Sequence, residues 1–206
     1  MKNRTQSILS IFILLVICNC YGQKNYKFDK IVNNTFSTTL FPNQKHTNLF
    51  NSEDDSYYMQ IYNRNDSLVS RIFDTKENKV HYFHIDKTDS LKLKFLKTQS
   101  LKKFVKDYKF EFSEIKEKKD YNEVVFKIFN NRNKRIARYK LKIRETKKKL
   151  FSIFKLSSLE TLLFTEIVPS QNFLILEAKG TNTNGRFVEY KLDSIEDINL
   201  NIDIPE

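Results

Sequence analysis

Four short segments in the first half of the chain, separated by polar breaks, most constrain what this sequence can fold into. They span residues 56–62, 67–73, 79–85 and 90–96, and Asn or Asp recurs in every break between them. Asn and Asp side chains cap turns and tolerate left-handed backbone, so the breaks indicate tight turns. The pattern therefore predicts four consecutive antiparallel strands.

The third of these segments is partly apolar on both faces. One face of the strand would carry Val80, Tyr82 and His84, and the other would carry His81, Phe83 and Ile85. A strand with two apolar faces is typical of the interior of a curved or closed sheet. Because His81 and His84 point to opposite faces, they cannot hold one metal ion without a bulge, and no metal site is expected.

The remaining segments extend the sheet. Strands are predicted at residues 26–32, 35–41, 47–50, 108–115, 121–129, 135–144, 150–156, 172–179, 186–192 and 195–202. A short helix or bent connection is predicted at 98–106, and the spacing of Ser157 and Glu160 predicts a helix over 157–165. We expect a mainly β fold, a curved antiparallel sheet or incomplete barrel with one or two short helices, in a single β-rich domain over residues 23–206.

Residues 1–22 have the organisation of a secretory signal peptide. Lys2 and Arg4 precede an apolar run over 8–18, and Gly22 is the small residue before the expected cleavage point. The run is well short of the roughly 20 residues that span a bilayer, so no transmembrane segment is expected after cleavage. We expect the protein to be exported, to a periplasmic or extracellular location.

Cleavage after residue 22 would also remove both cysteines, Cys18 and Cys20. The mature chain would then have no disulfide, zinc-thiolate site or cysteine nucleophile. Lipid anchoring is not expected, because Ile17 and Asn19 precede the cysteines where a lipid-modified cysteine has a small residue before it.

Several short motifs resemble a known group of proteins. They are Tyr-Gly-Gln at 21–23, the block 51–58, and the segments 169–176 and 185–192. Together they resemble the uncharacterised exported β-rich proteins of Bacteroidetes. The last part is similar to the end of the GLPGLI family, with 169–176 standing in place of that family's naming motif. The resemblance implies a β-rich architecture and export, and it implies no activity.

Signatures of common enzymes are absent from the sequence. It contains no Gly-x-Ser-x-Gly, no His-Glu-x-x-His and no glycine-rich phosphate loop, and no cofactor is expected. Two carboxylates from distant strands could still meet as a glycosidase-like pair. A hydrolase acting on envelope or extracellular polymers is therefore the alternative hypothesis.

Positive charge is concentrated in the middle of the chain. Residues 87–149 contain 22 Lys and Arg against 8 Asp and Glu, a net charge of +14. Because strands adjacent in a meander are usually adjacent in space, we expect these charges to form one patch that attracts anionic surfaces. Lysines that are merely solvated are the plainer interpretation of the same composition.

The segment 135–144 has the strictest alternation in the chain. Its inward face would carry Ala137, Tyr139, Leu141 and Ile143. Six cations are the predicted anion-binding residues: Arg138, Lys140, Lys142 and Arg144 on the outward face, and Lys147 and Lys148 in the next turn. Export disfavours nucleic acid as a partner and leaves anionic lipid, lipopolysaccharide or acidic glycan. The resulting hypothesis is a non-enzymatic exported binding or envelope-associated protein for a lipid or an anionic envelope component.

Overall fold

The computed structural model describes residues 24–64, 67–87, 91–103 and 106–205. The predicted signal peptide lies outside these described residues. Within them, 12 strands form one antiparallel sheet that is not closed, which confirms the mainly β fold with a short helix. The strands are β1 (Lys24–Thr38), β2 (Gln44–Phe50), β3 (Tyr57–Arg64), β4 (Ser67–Asp74), β5 (Lys79–Lys87), β6 (Leu91–Ser100), β7 (Lys109–Phe112), β8 (Lys116–Glu117), β9 (Asn122–Phe129), β10 (Arg135–Glu145), β11 (Phe173–Thr181) and β12 (Phe187–Ile204). Helix α1 (Phe151–Ser158) and a 3-10 helix (Glu160–Leu162) lie between β10 and β11.

The chain divides into two compact units. The larger one is Phe28–Asn199, and every site discussed below belongs to it. The smaller one includes, among the described residues, 24–27 and 200–205. Within the smaller unit the Asn25 amide donates a hydrogen bond to Asp203 Oδ1 at 2.7 Å.

The predicted four-strand meander is confirmed as β3 to β6. Each strand pairs antiparallel with the next. Asn78 adopts a positive φ of 56° in the turn before β5, and the Glu77 amide donates to Asp74 Oδ1 at 2.7 Å. The sequence signal was reliable here because the turn chemistry is local.

The order of strands across the sheet is β6-β5-β4-β3-β2-β1-β12-β11-β10-β9-β7, and β8 pairs with β9. Strands β6 and β7 are therefore consecutive in sequence and lie at opposite ends of that order. Between them, the predicted helix or bent connection at 98–106 begins as the last residues of β6, and residues 101–103 and 106 have no regular secondary structure. The strands of residues 87–149 are thus divided between the two ends of the strand order, although Lys103, which follows β6, lines one pocket together with Lys147.

Two predicted breaks are absent. Segments 26–32 and 35–41 were expected as separate strands, but β1 continues through Asn33 and Asn34. Both amides bond to neighbouring strands instead of capping a turn: Asn34 Oδ1 accepts from Asn48 Nδ2 at 3.1 Å, and Asn33 Oδ1 accepts from the Thr47 hydroxyl at 2.7 Å. Segments 186–192 and 195–202 likewise belong to the single strand β12.

The predicted strand at 150–156 is wrong, because Phe151–Ser158 is helix α1. Its apolar residues Phe151 and Phe154 are separated by three positions, which fits one face of a helix. The predicted helix at 157–165 is reduced to the end of α1 and the 3-10 helix Glu160–Leu162.

Helix α1 packs on one face of the sheet. Phe151 lies edge-on to Phe126 at 5.8 Å between ring centroids, and Phe154 lies edge-on to Tyr139 at 6.0 Å and to Tyr190 at 5.2 Å. Leu150, Ile153 and Leu156 pack in a second cluster with Val32, Phe50, Tyr58 and Leu174. The outer face, defined here as the face of β9, β10 and β11 opposite α1, is left for charged side chains.

Candidate anion-binding site

Strand β10 presents the predicted alternation. Its inward residues Ala137, Tyr139, Leu141 and Ile143 are all buried, and burial raises the pKa of the Tyr139 phenol. On the outer face Arg138, Lys140 and Arg144 are exposed and Lys142 is half-buried. The alternation follows from the two-residue period of a strand whose inward side is covered by α1.

A basic groove, defined by Arg135, Arg138, Lys140, Lys179 and Phe187, crosses the outer face. It has a volume of about 620 Å³ and also includes Thr181. A shift in the β9–β10 register between residues 135 and 137 gives β10 one extra residue there. Such bulges redirect side chains, which accounts for Arg135 sharing the groove with the outward residues of β10.

Gly180 sets the spacing of the two strands beneath the basic groove. It pairs with Tyr139 across β10 and β11. A Cβ atom at this position would lie 2.0 Å from the Arg138 carbonyl oxygen, which no side chain could tolerate without moving the strand. Glycine is therefore required by the close approach of the backbones.

Like charges face each other across these strands. Arg138 lies opposite Lys127 of β9, and Lys140 lies opposite Lys179 of β11. Directly opposed like charges destabilise a sheet. An arrangement that costs stability and serves no packing purpose favours a binding role for the cations.

Three lysines of these strands, one of them the groove residue Lys179, form ion pairs with acidic neighbours. Lys127 lies 3.5 Å from Glu111, Lys142 lies 3.3 Å from Glu177, and Lys179 lies 3.2 Å from Glu189. Among the described residues, Arg135, Arg138 and Lys140 form no ion pair. Within the described chain, the basic groove therefore groups three cations without an ion pair, and Arg144 is a further one on the outer face outside the groove.

The structure does not bring all six predicted cations together. Arg138 and Lys140 line the basic groove, Lys142 is paired with Glu177, and Arg144 lies outside the groove, opposite Leu174 near the end of β10. Lys147 and Lys148 line a different pocket, beside α1.

Lys148 is held by acidic neighbours. Its ammonium lies 3.0 Å from Glu53 and 3.9 Å from Asp29, and it donates to the Ser52 hydroxyl at 2.8 Å. The hydrogen bond to Glu53 is the main reason that the pKa of Lys148 is raised. The positive charge of Lys148 is therefore balanced by Glu53 and Asp29 and is less available to an external anion.

Sequence reasoning missed three contributors to the basic groove. Arg135 was assigned to the strand but not to the site, while Lys179 and Phe187 lie outside the basic segment. The registers of the pairs reveal them: β10–β11 places Lys179 opposite Lys140, the β9–β10 shift accounts for Arg135, and β11–β12 places Phe187 opposite Thr181. The alternation of Lys179 with buried Ala178 was the one available signal.

In the described part of the chain, no helix has both the length and the apolar character needed to cross a bilayer.

Comparisons with known proteins identify no family for this chain. No family model matches the sequence, and no curated protein matches it. Among solved structures, a DUF1329 family protein from Desulfovibrio piger ATCC 29098 aligns with a TM-score of 0.26 and 5% sequence identity over 89% of each chain. A similarity of this size shows neither family membership nor function.

Proposed function

We propose that this protein is a non-enzymatic exported binding protein whose basic groove holds an anionic group of the cell envelope. The observation that carries the proposal is the placement of Arg135, Arg138 and Lys140 in one groove without a carboxylate partner in the described chain. Anionic lipid headgroups, lipopolysaccharide and acidic glycans all present the phosphate or carboxylate oxygens that such a groove recognises.

The chemistry of the groove suits an oxyanion next to an apolar group. An arginine guanidinium can donate two parallel hydrogen bonds to a phosphate or carboxylate, and Lys140 adds a point charge. Phe187 is 51% exposed although it is apolar, and it lines the same groove. A headgroup with a short apolar segment would use both features.

A ligand enclosed beneath α1 is disfavoured by the packing. Phe112, Phe126 and Phe151 contact one another there, with ring centroids 4.7 to 5.8 Å apart. Close-packed rings leave no space for an acyl chain. The proposal therefore rests on recognition of charge at the outer face.

An exported protein would meet components of the cell envelope, so export supports an envelope partner. Export can be tested independently of binding. If residues 1–22 are a cleaved signal peptide, intact-mass measurement of protein secreted or released from the periplasm will give a chain that begins at Gln23. A chain that retains residues 1–22 would remove the export part of the proposal.

Vesicle cosedimentation tests the binding function. The variant Arg135→Ser/Arg138→Thr/Lys140→Thr should bind vesicles containing phosphatidylglycerol on the order of 100-fold more weakly than the parent, since each cation near an anionic surface contributes about 1 kcal/mol. Pure phosphatidylcholine vesicles should bind neither protein.

The matched control removes the same charge elsewhere. Lys92, Lys94 and Lys97 lie on β6, at the other end of the strand order from β7. Their replacement by Ser should reduce binding by less than about tenfold, because only long-range attraction changes. Equal losses in the two triple variants would mean that net charge, and not the groove, is responsible.

A hydrolase is the second candidate function, and one observation favours it. Glu53, Asp55 and Glu166 all line the pocket beside α1. Glycosidases place two carboxyl groups about 5 to 10 Å apart across a cleft. Chromogenic glycosides test this directly: turnover that disappears in both Asp55→Asn and Glu166→Gln would establish the hydrolase, and lack of turnover in the parent would remove it for those substrates.

A further inference from the structure

The pocket beside α1, called here the helix pocket, is a second site distinct from the basic groove. It has a volume of about 690 Å³. Its walls come from the turn after β2, the segment before α1, and the segment that follows the 3-10 helix. Because none of its lining residues belongs to the basic groove, the two sites can be tested separately.

A buried lysine lines the helix pocket. Lys155 is only 8% exposed, and among the described residues its ammonium makes one hydrogen bond, 3.4 Å long, to the carbonyl oxygen of Thr165. An ammonium has three donors, and Lys155 forms no ion pair with any described residue. Donors buried without acceptors cost free energy, and an anion bound at the ammonium would remove that cost.

The electrostatic surroundings of Lys155 agree with this geometry. Burial lowers the pKa of Lys155, and the more distant carboxylates of Asp55 and Glu166 only partly oppose that effect. An oxyanion in direct contact with the ammonium would stabilise the charged form of Lys155 more strongly than these distant carboxylates do.

The rest of the helix pocket combines charge with apolar surface. Lys147 and Lys149 are exposed at the pocket, whereas Lys148 is occupied by Glu53. Half-buried Leu163 and Phe164 form apolar wall, and Val168 is 67% exposed. A ligand that satisfies both parts would have an anionic head and a short hydrocarbon body.

We infer that the helix pocket binds small amphiphilic carboxylates, with the carboxylate accepting hydrogen bonds from Lys155 and the hydrocarbon packed against Leu163, Phe164 and Val168. This inference goes beyond the proposed function, because it concerns a different site and a different class of ligand. It involves binding only, and no bond is made or broken.

Titration calorimetry with octanoate tests the inference. Octanoate should bind with one-to-one stoichiometry, and octanol and octylammonium, which lack the anionic head, should bind at least about tenfold more weakly. Lys155→Met, which keeps the length and removes the ammonium, should weaken octanoate binding about tenfold or more. Lys97→Met on β6 is the matched control and should bind as the parent does.

A second pair of variants guards against a folding defect at the buried position. Val168 is exposed, so Val168→Glu and Val168→Gln should both fold. The glutamine variant loses part of the apolar wall and should bind octanoate somewhat more weakly than the parent, and the glutamate variant, which adds a repelling charge, should bind it at least about tenfold more weakly than the glutamine variant. Failure of the parent to bind octanoate, or equal binding by the two Val168 variants, would overturn the inference.

Discussion

The basic groove and the helix pocket both depend on cations, but they hold them in opposite ways. In the groove, Arg138 and Lys140 stand on an exposed strand face and keep their hydration. In the helix pocket, Lys155 is buried, and its ammonium donates a long hydrogen bond to the Thr165 carbonyl oxygen. Exposed charges cost little to maintain and act together over a distance, whereas a buried charge is costly and acts on one atom in contact.

The difference suggests different kinds of ligand. A groove of several hydrated cations suits an extended anionic surface, where affinity is a sum of weak, salt-dependent contributions. A single desolvated ammonium suits one small molecule in a fixed orientation, with affinity that salt changes little.

The largest effect on both sites should come from removing the aromatic packing beneath α1. Phe154 is 1% exposed and contacts Tyr139 and Tyr190 beneath α1. Phe154→Ala should lower the free energy of unfolding by about 3 to 5 kcal/mol, since it leaves a cavity. Urea unfolding measures this, and Leu40→Ala, at a 60% exposed position, is the control. A loss below about 1 kcal/mol would contradict the packing described for α1.

The basic groove alone should fail when its two strands are forced apart. Gly180→Ala places a methyl group 2.0 Å from the Arg138 carbonyl oxygen. We expect a loss of about 2 to 3 kcal/mol from overpacking, together with weaker vesicle binding. Gly185→Ala is the comparison, because its positive φ of 74° is strained but no atom lies within 4 Å, and it should cost only about 1 kcal/mol. If Gly185→Ala were the more damaging change, the close approach at Gly180 would be wrong.

Replacing the buried charge of Lys155 with an apolar side chain should stabilise the protein. Lys155→Met should raise the free energy of unfolding at neutral pH by about 1 kcal/mol or more, because an apolar side chain of similar length replaces a desolvated charge. Other charged residues around the helix pocket are Glu53, Asp55, Lys103, Lys147, Lys148, Lys149 and Glu166, and all of them remain in the variant.

The stability difference between Lys155→Met and the parent should change with pH in a direction that can be measured. The pKa of Lys155 is lowered in the folded protein, while in the unfolded chain it is about 10.4. Between these two values the unfolded chain binds more protons, so the free energy of unfolding of the parent rises with pH. The stability advantage of Lys155→Met should therefore shrink as the pH approaches about 10. An advantage that grows with pH would show that the pKa is raised instead.

The smallest effect is expected for the exposed cations. Arg138→Thr and Lys140→Thr should each change the free energy of unfolding by less than about 0.5 kcal/mol, with any change being a gain, since each removes a like-charge pair. Chemical denaturation of the single variants measures this. A clear loss of stability would mean that these side chains support the sheet.

What the sequence could predict depended on whether the determining interactions are local. The alternation of buried Tyr139 with exposed Arg138 and Lys140 was visible because strand period and residue type agree. Helix α1 was missed because a short apolar run such as 150–156 reads equally as a buried strand, and its packing on Tyr139 decides the matter.

The basic groove as a whole could not be derived from the sequence. Its width depends on the approach of Gly180 to Arg138, and its charge depends on Lys179 arriving opposite Lys140 from more than thirty residues away. The +14 segment is divided between the two ends of the strand order at the connection between β6 and β7, where two strands consecutive in sequence do not pair with each other.

A crossed measurement of both ligands on both variants tests whether the two sites act separately. Phosphatidylglycerol vesicle binding and octanoate binding would be measured for the parent, for Arg135→Ser/Arg138→Thr/Lys140→Thr and for Lys155→Met. We expect the triple variant to lose vesicle binding and keep octanoate, and Lys155→Met to lose octanoate and keep vesicle binding. If either variant lost both ligands while remaining folded, or if the triple variant bound vesicles as the parent does, the division into an exposed groove and a buried-lysine pocket would be contradicted.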